Sequence, residues 1–229
     1  MRFVLEVCLI AFATGSFPLP TAAQSPAMQP GISVEMVPTR NASPMPEADG
    51  EGAFIVTVTA NGSIYLGVNP ITAPELAEET RNTPFRRGQA IYIKADARTP
   101  YAIVLPVLGA TSGLLPQVLL TSQSESNESS GIVLPQGLGV SVGSTFPRGT
   151  VATVVQLLHS GQGGPLLSVN NDKISWSALE STLKRHFQKG DEKTVLVKAD
   201  PRLSFAEVAH AIDACRAAGA TVYLAASGT

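Results

Sequence analysis

The chain has 229 residues, 44% of them hydrophobic and 15% charged, with a formal net charge of −2. That balance fits a globular chain with room for one large domain or two of about 100 residues. It offers no basic stripe for nucleic acid and no strong acidic field, and its 20 Gly and 17 Pro predict many loops and few long helices.

The start reads as an address. Arg2 precedes an apolar run, Phe3–Phe17, which is followed by Pro18 and by small residues at Thr21 and Ala23. A run of about 15 residues covers roughly 22 Å, short of a roughly 30 Å hydrocarbon core. Residues 1–23 are therefore expected to be a secretory signal cleaved near Ala23–Gln24, with a short retained membrane anchor as the alternative. Either places the chain outside the cytoplasm. Glu6 is the awkward residue, because a carboxylate inside an apolar run is costly in both roles. Loss of Cys8 with the signal would leave Cys215 alone, without an internal disulfide. Its place on the apolar face of a predicted helix makes it a buried, inert thiol.

Residues 24–52 are rich in Pro, Ala, Ser and Met and read as a tether. One alternating island, Ile32–Val37, predicts an edge strand stopped by Pro38. Residues 53–122 form a first unit. Phe54–Thr59 and Ile64–Leu66 flank Asn61-Gly62, which predicts a hairpin closed by a two-residue type I′ turn. Thr72 and Glu75 have the spacing of a capping box, starting a helix that runs to about Arg81. The strand Ala90–Ala95 follows, then a helix with Pro100 at its first position, shortened or kinked by Pro106 and Gly109, then the strand Gln117–Thr121.

The polar residues 123–130 read as a linker, and 131–229 as a second unit. Residues 137–164 leave their structure open, with Thr150–His159 either helix or strand. Leu166–Val169 and Lys173–Ser175 predict another hairpin across Asn170–Asp172. Ser177 and Glu180 predict a second capping box, with Trp176, Leu179, Leu183 and Phe187 as the apolar stripe. The strand Thr194–Ala199 leads to a helix capped by Ser204 and Glu207. Phe205, Val208, Ala209, Ile212 and Cys215 form its inner face, and Gly219 is the residue just past its end. Thr221–Ala225 is the last strand.

The second unit repeats the first. At a shift of 104 residues Lys94-Ala95-Asp96 falls on Lys198-Ala199-Asp200, Arg98 on Arg202, and Tyr101, Ala102 and Val104 on Phe205, Ala206 and Val208. A repeat of that length indicates a duplicated supersecondary unit. The expected fold class is α/β (α+β): two similar small domains, each an open mixed sheet of β-hairpin-α-β-α-β order with its helices on one face. Right-handed crossovers make the last two strands of each unit parallel.

These residues reach a family. Val56–Thr72 with Ile91–Asp96 resembles the periplasmic domain of the ExbD/TolR biopolymer-transport family, and Val197–Val208 through Ala218-Gly219 resembles the later half of that domain. The resemblance implies a non-enzymatic component of the cell envelope that acts by protein–protein interaction in a proton-motive-force-coupled, TonB/Tol-type transport system. It implies an ExbB/TolQ-like membrane protein and a TonB/TolA-like protein as partners. It also implies pairing of periplasmic domains, as a homo-oligomer or between the two copies within one chain. Two departures stand out. The family has one such domain where this chain has an apparent tandem, and Phe3–Ile10 is similar to the family's membrane helix without its preceding motif. Glu6 stands where that helix carries a proton-bearing aspartate, so it is either a proton carrier or an imperfection in a signal. The alternative to the transport role is a secreted periplasmic tandem binding module without proton coupling.

The repeated corners carry the candidate site. Lys94 and Asp96 project to one face of their strand while Ile93 and Ala95 project to the other. Asp96 and Asp200 are expected to end their strands by accepting from nearby backbone amides, with Arg98 and Arg202 as partners. The alternative reading makes Lys94, Asp96, Arg98, Lys198, Asp200 and Arg202 a docking rim. Catalytic constellations are thin. His159, His186 and His210 lack nucleophile or carboxylate partners in any known pattern, and no metal-ligand spacing or dinucleotide loop occurs. No enzyme activity, cofactor, metal or nucleic-acid partner is expected.

Overall fold

A computed structural model describes residues 31–123, 135–143, 150–161, 163–188 and 193–225. In chain order the first part contains β1 (Pro38–Thr39), β2 (Ser43–Pro44), a 3-10 turn (Pro46–Asp49), β3 (Phe54–Val58), β4 (Ile64–Leu66) and β5 (Asn69–Ile71). Next come α1 (Ala73–Asn82), β6 (Ile91–Ala95), α2 (Tyr101–Ala110), β7 (Gln117–Gln123) and β8 (Gln136–Val142). The rest is β9 (Thr153–Leu158), β10 (Leu166–Val169), β11 (Asp172–Ile174), α3 (Leu179–Gln188), β12 (Thr194–Ala199), α4 (Phe205–Ala217) and β13 (Thr221–Leu224).

The local chemistry explains most of these limits. Both Thr72 and Ser204 complete capping boxes, each hydroxyl accepting from the amide three residues on while Glu75 and Glu207 reach back to the cap amides. The box expected at Ser177 does not form. The chain makes a 3-10 turn at Trp176–Ala178 first, Ser177 Oγ faces Ser175 Oγ at 3.1 Å, and α3 begins at Leu179. Pro100 lies one residue before α2 as its cap, with ψ at 134°, so the helix starts at Tyr101. Gly219, at φ +80°, lets the amides of Gly219 and Ala220 bond back to Arg216 and Cys215 and close α4.

The hairpins differ from expectation in an instructive way. The first closes through three residues, since Thr59 N–H donates to Ser63 O and Gly62 N–H to Thr59 O, with φ +85° at Gly62 alone. That is a type I turn with a glycine bulge; Asn61 stays at negative φ and accepts from Thr59 Oγ1 and Ser63 N–H through its side chain. The second, between β10 and β11, has the two-residue turn, with Asn170 and Asn171 both at positive φ. The segment left open is a strand, β9.

Among the described residues the sheet has thirteen strands in the path β11-β10-β9-β12-β13-β8-β7-β6-β3-β4-β5, with β1 added on β7 and β2 on β8. In the first half β3, β6 and β7 are parallel neighbours, and in the second β9, β12 and β13 are. Phe54 pairs with Ile91 as Thr153 pairs with Val195, so β9 is the positional counterpart of β3. β8 joins the halves into one sheet, antiparallel to β7 and parallel to β13. β7 and β8 are thus paired strands on either side of the expected linker, most of which lies outside the described residues.

One core cluster fills the helical face. Ile93, Leu119, Val155 and Val197 from the strands meet Leu76, Val104, Leu183 and Ile212 from α1, α2, α3 and α4, all buried. The opposite face of the first half has its own small cluster, where Ala48 packs on Tyr92, Val118 and Leu120. Met36, Met45 and Ala53 complete that cover, while Val37 and Ala42 of the same stretch pack on the main core. The edge strand expected at Ile32–Val37 is absent: β pairing begins at Pro38, and the island is fixed by hydrogen bonds to the corner instead.

Candidate interaction site

At the first corner, β6 ends where Asp96 N–H donates to Val58 O. The Asp96 carboxylate is almost fully buried and turns back on the next residues, accepting from Arg98 N–H at 3.1 Å, Arg98 Nε at 2.9 Å and Arg98 Nη2 at 3.0 Å. A further donor comes from far away in sequence, Glu35 N–H at 3.1 Å. The Arg98 bonds, helped by that amide, hold the Asp96 carboxyl at about 2, against the opposing effect of burial.

The second corner repeats this geometry. Asp200 N–H donates to Leu157 O, and the carboxylate accepts from Arg202 N–H at 2.9 Å, Arg202 Nε at 3.0 Å and Arg202 Nη2 at 2.6 Å. These bonds push its pKa well below the usual carboxylate range, with the His159 backbone amide as a smaller contributor. Both aspartates therefore cap their own turns, and both arginines remain largely exposed.

The corners also meet each other, which sequence reasoning left as pairing in general terms. Tyr101 N–H donates to Leu203 O at 2.7 Å, and Phe205 N–H to Thr99 O at 2.8 Å. Ala102 N–H donates to Pro201 O at 2.9 Å, and Ala206 N–H to Ala97 O at 3.0 Å. Pro100 and Ser204 form an antiparallel bridge between them. Each donor is one of the first amides of a helix, which have no acceptor within that helix. The ladder gives them acceptors reciprocally, and every bond in one direction has its counterpart at the 104-residue shift.

The halves part company on the other side of the sheet. Lys94 Nζ donates to Ile32 O at 2.9 Å, Ala97 N–H to Glu35 O at 2.8 Å, and Ser122 N–H to Val37 O at 3.0 Å. Burial lowers the Lys94 pKa, and the nearby Asp49 charge opposes that. Residues 31–49 thus strap the first half. Asp213 on α4 ties the strap down further, accepting from the amides of Arg40 at 3.2 Å and Asn41 at 2.8 Å and from Asn41 Nδ2 at 3.2 Å. The sequence signal for this was slight: a Pro- and Met-rich stretch reads as tether until its partners are known. At the second corner Pro201 stands where Ala97 does, so the amide that would receive a strap is missing.

Glu6 lies outside the described residues. No helix among them is long and apolar enough to cross a membrane, and no group of three His, Cys, Asp or Glu side chains gathers among them. An open depression between β4, β5 and the start of α1 is lined by Ile64, Pro70, Thr72 and Glu75, but Thr72 and Glu75 are bonded to each other in the capping box.

The molecule is thus a mixed α/β protein in which two buried aspartates, Asp96 and Asp200, hold the chain at matched turns. Its residues 111–228 match the model of the biopolymer transport protein ExbD/TolR family, and the chain belongs to that family. The match runs from the end of α2 through β13, covering the whole second half. No curated protein matches the chain. Members of the family are cell-envelope transport components of TonB/Tol-type systems, not enzymes, and work with ExbB/TolQ and TonB/TolA proteins.

Proposed function

We propose that this chain is a periplasmic, interaction-only component of a proton-motive-force-coupled TonB/Tol-type system, built from two tandem copies of the ExbD/TolR-type domain, at residues 53–122 and 131–229. The observation that carries the reading is the reciprocal ladder between residues 97–102 and 201–206, set beside the family match. In this reading the two copies pair within one chain. The Lys94–Arg98 and Lys198–Arg202 corners are then principally the internal joint, with the exposed Arg98 and Arg202 guanidiniums at its rim. Of the two readings of the start, this one takes the second: residues 1–23 are retained and tether the chain to the inner membrane beside an ExbB/TolQ-like protein, with Glu6 as the proton-bearing group and a TonB/TolA-like protein as the periplasmic partner.

The test is intact-mass measurement of the chain from separated membrane and periplasmic fractions, with affinity capture of the detergent-solubilised chain. The reading expects a membrane-bound chain that retains Met1 and brings an ExbB/TolQ-like protein with it, and Glu6→Gln should leave the complex intact while abolishing energised transport. A soluble species starting at Gln24 would remove Glu6 and overturn the proton-coupled role, leaving a secreted tandem binding module.

A further inference from the structure

The strap is seated on both halves at once. Its leading part, residues 31–37, is bonded through Lys94, Asp96, Ala97 and Ser122, all of the first half. Its trailing part crosses to the second. Pro38 and Thr39 pair with Ser122 and Gln123 of β7, and Thr39 Oγ1 donates to Thr121 Oγ1 at 2.7 Å, both buried. Ser43 and Pro44 then pair with Gly137 and Gln136 of β8, and Met45 N–H donates to Pro135 O at 2.7 Å. Between these contacts the Asp213 carboxylate of α4 collects the amides of Arg40 and Asn41.

That seat is made of both halves together. Gly137 lies opposite Leu120 of β7 and opposite Ser43 of β2, so the start of β8, the strand that joins the halves, is held between the first half and the strap. Glycine is required there on steric grounds, since a Cβ would collide with Val118 of the first half and with Met45 of the strap. Val37 and Ala42 pack on the main core while Met45 and Ala48 pack on the opposite face, so the strap changes sides between Ala42 and Met45. A segment bonded to two bodies binds their docked arrangement better than either body alone, and by reciprocity its binding keeps them docked.

We propose that residues 38–45 are a clasp on the joint between the halves, held by Asp213 as a positioning residue, so that release of the strap and opening of the corner ladder favour each other. The device has an order built into it. A pull from the N-terminal side meets the bonds of residues 31–37 on the first half before it reaches the clasp. The coupling rests on the pairing of the two halves and needs neither a membrane anchor nor Glu6, so it can fail without the transport role failing.

The experiment is native-state hydrogen exchange on the full chain, comparing Asp213→Ala with the unaltered protein. Exchange at Arg40 and Asn41 is expected to rise about tenfold, since both amides lose a charged acceptor. Coupling adds a rise of about two- to fivefold at Tyr101 and Phe205, whose own bonds the substitution does not touch. Ile91, bonded to Pro116 within the first half, should keep its rate. Asp213→Asn retains one acceptor oxygen and should give a smaller change at both places. Asn41→Pro removes a donor from the strap and leaves α4 untouched, and it should speed Arg40, Tyr101 and Phe205 in the same direction. In reverse, Ala206→Pro cuts one ladder bond in the first turn of α4, where proline is tolerated, and should speed Arg40 and Asn41. Unchanged exchange at Arg40 and Asn41 in Asp213→Ala would show that Asp213 holds nothing. Faster exchange confined to the strap, with Tyr101 and Phe205 unchanged in Asp213→Ala and in Asn41→Pro, would overturn the clasp and leave a passive cover. A uniform rise that includes Ile91 would mean a loss of global stability alone and would overturn it equally.

Discussion

The two corners are built alike and used differently. Asp96 and Asp200 each fold back on an arginine two residues on, and each precedes a turn that gives its helix-start amides to the other corner. Yet Asp96 also holds Glu35, and Ala97 holds it again, while Asp200 takes its extra amide from His159 and is followed by proline. The shared part is what both units need to end a strand and start a helix. The part that differs decides whether a further segment can be bonded there. At the position after the aspartate, Ala97 has an amide that bonds Glu35, and Pro201 has none to offer.

Substitutions at these residues separate what the corners share from what they do not. Tyr101 and Phe205 are matched, fully enclosed rings at the joint, and replacing either with alanine should lower unfolding stability by about 3–5 kcal/mol in urea titrations. A loss at only one position would mean that the halves do not share the joint. Asp96→Ala and Asp200→Ala should each lower stability by about 1–3 kcal/mol, because buried amides lose their acceptor. The pair should separate under limited proteolysis: cleavage within 31–37 rises for Asp96→Ala and stays unchanged for Asp200→Ala. Smaller still is Ala97→Pro, which copies the second corner into the first. It should loosen the strap by about 1 kcal/mol while leaving the ladder, since Ala97 enters the ladder through its carbonyl. Pro201→Ala should lower stability by about 0.4–1 kcal/mol through chain entropy, with no effect on the strap.

Acid titration addresses both corners together. Each aspartate titrates below its unfolded value of about 4, so each favours the folded state above that pH. The contribution fades as pH falls through the folded value, about 2 for Asp96 and lower for Asp200. Stability measured from pH 5 to pH 2 should therefore fall with pH, and the slope should flatten in the double Asn variant. Cys215 gives a check on the shared core, since burial pushes its thiol up to about 12. It should resist thiol reagents at pH 8 until the chain unfolds.

Much of this was legible in the sequence where local chemistry dominates. The Thr72 and Ser204 caps, the hairpins at Asn61-Gly62 and at Asn170, the strands around Ile93 and Val197, and Gly219 past α4 all follow from a few neighbouring residues, though Asp172 belongs to β11 and not to the turn. The turn type at Asn61 was misread because the choice between two- and three-residue loops depends on strand register, which no single turn residue fixes. β8 was hidden by its glycines, and β5 by Pro70, which an edge strand tolerates. The strap was least legible. Its bonds reach partners such as Asp96 and Asp213, across 61 and 172 residues, and no local pattern announces them. The corner residues were found by repetition, but repetition could not say that the two corners touch.

The most direct test of that joint is native-state hydrogen exchange at Tyr101, Ala102, Phe205 and Ala206. As the first amides of α2 and α4 they have no acceptor within their own helices, so ordinary helix starts would leave them exchanging fast. The reciprocal ladder predicts slow exchange at all of them, with Tyr101 matching Phe205 and Ala102 matching Ala206. Fast exchange at these amides, or protection confined to one helix, would contradict a joint made by the two halves on each other.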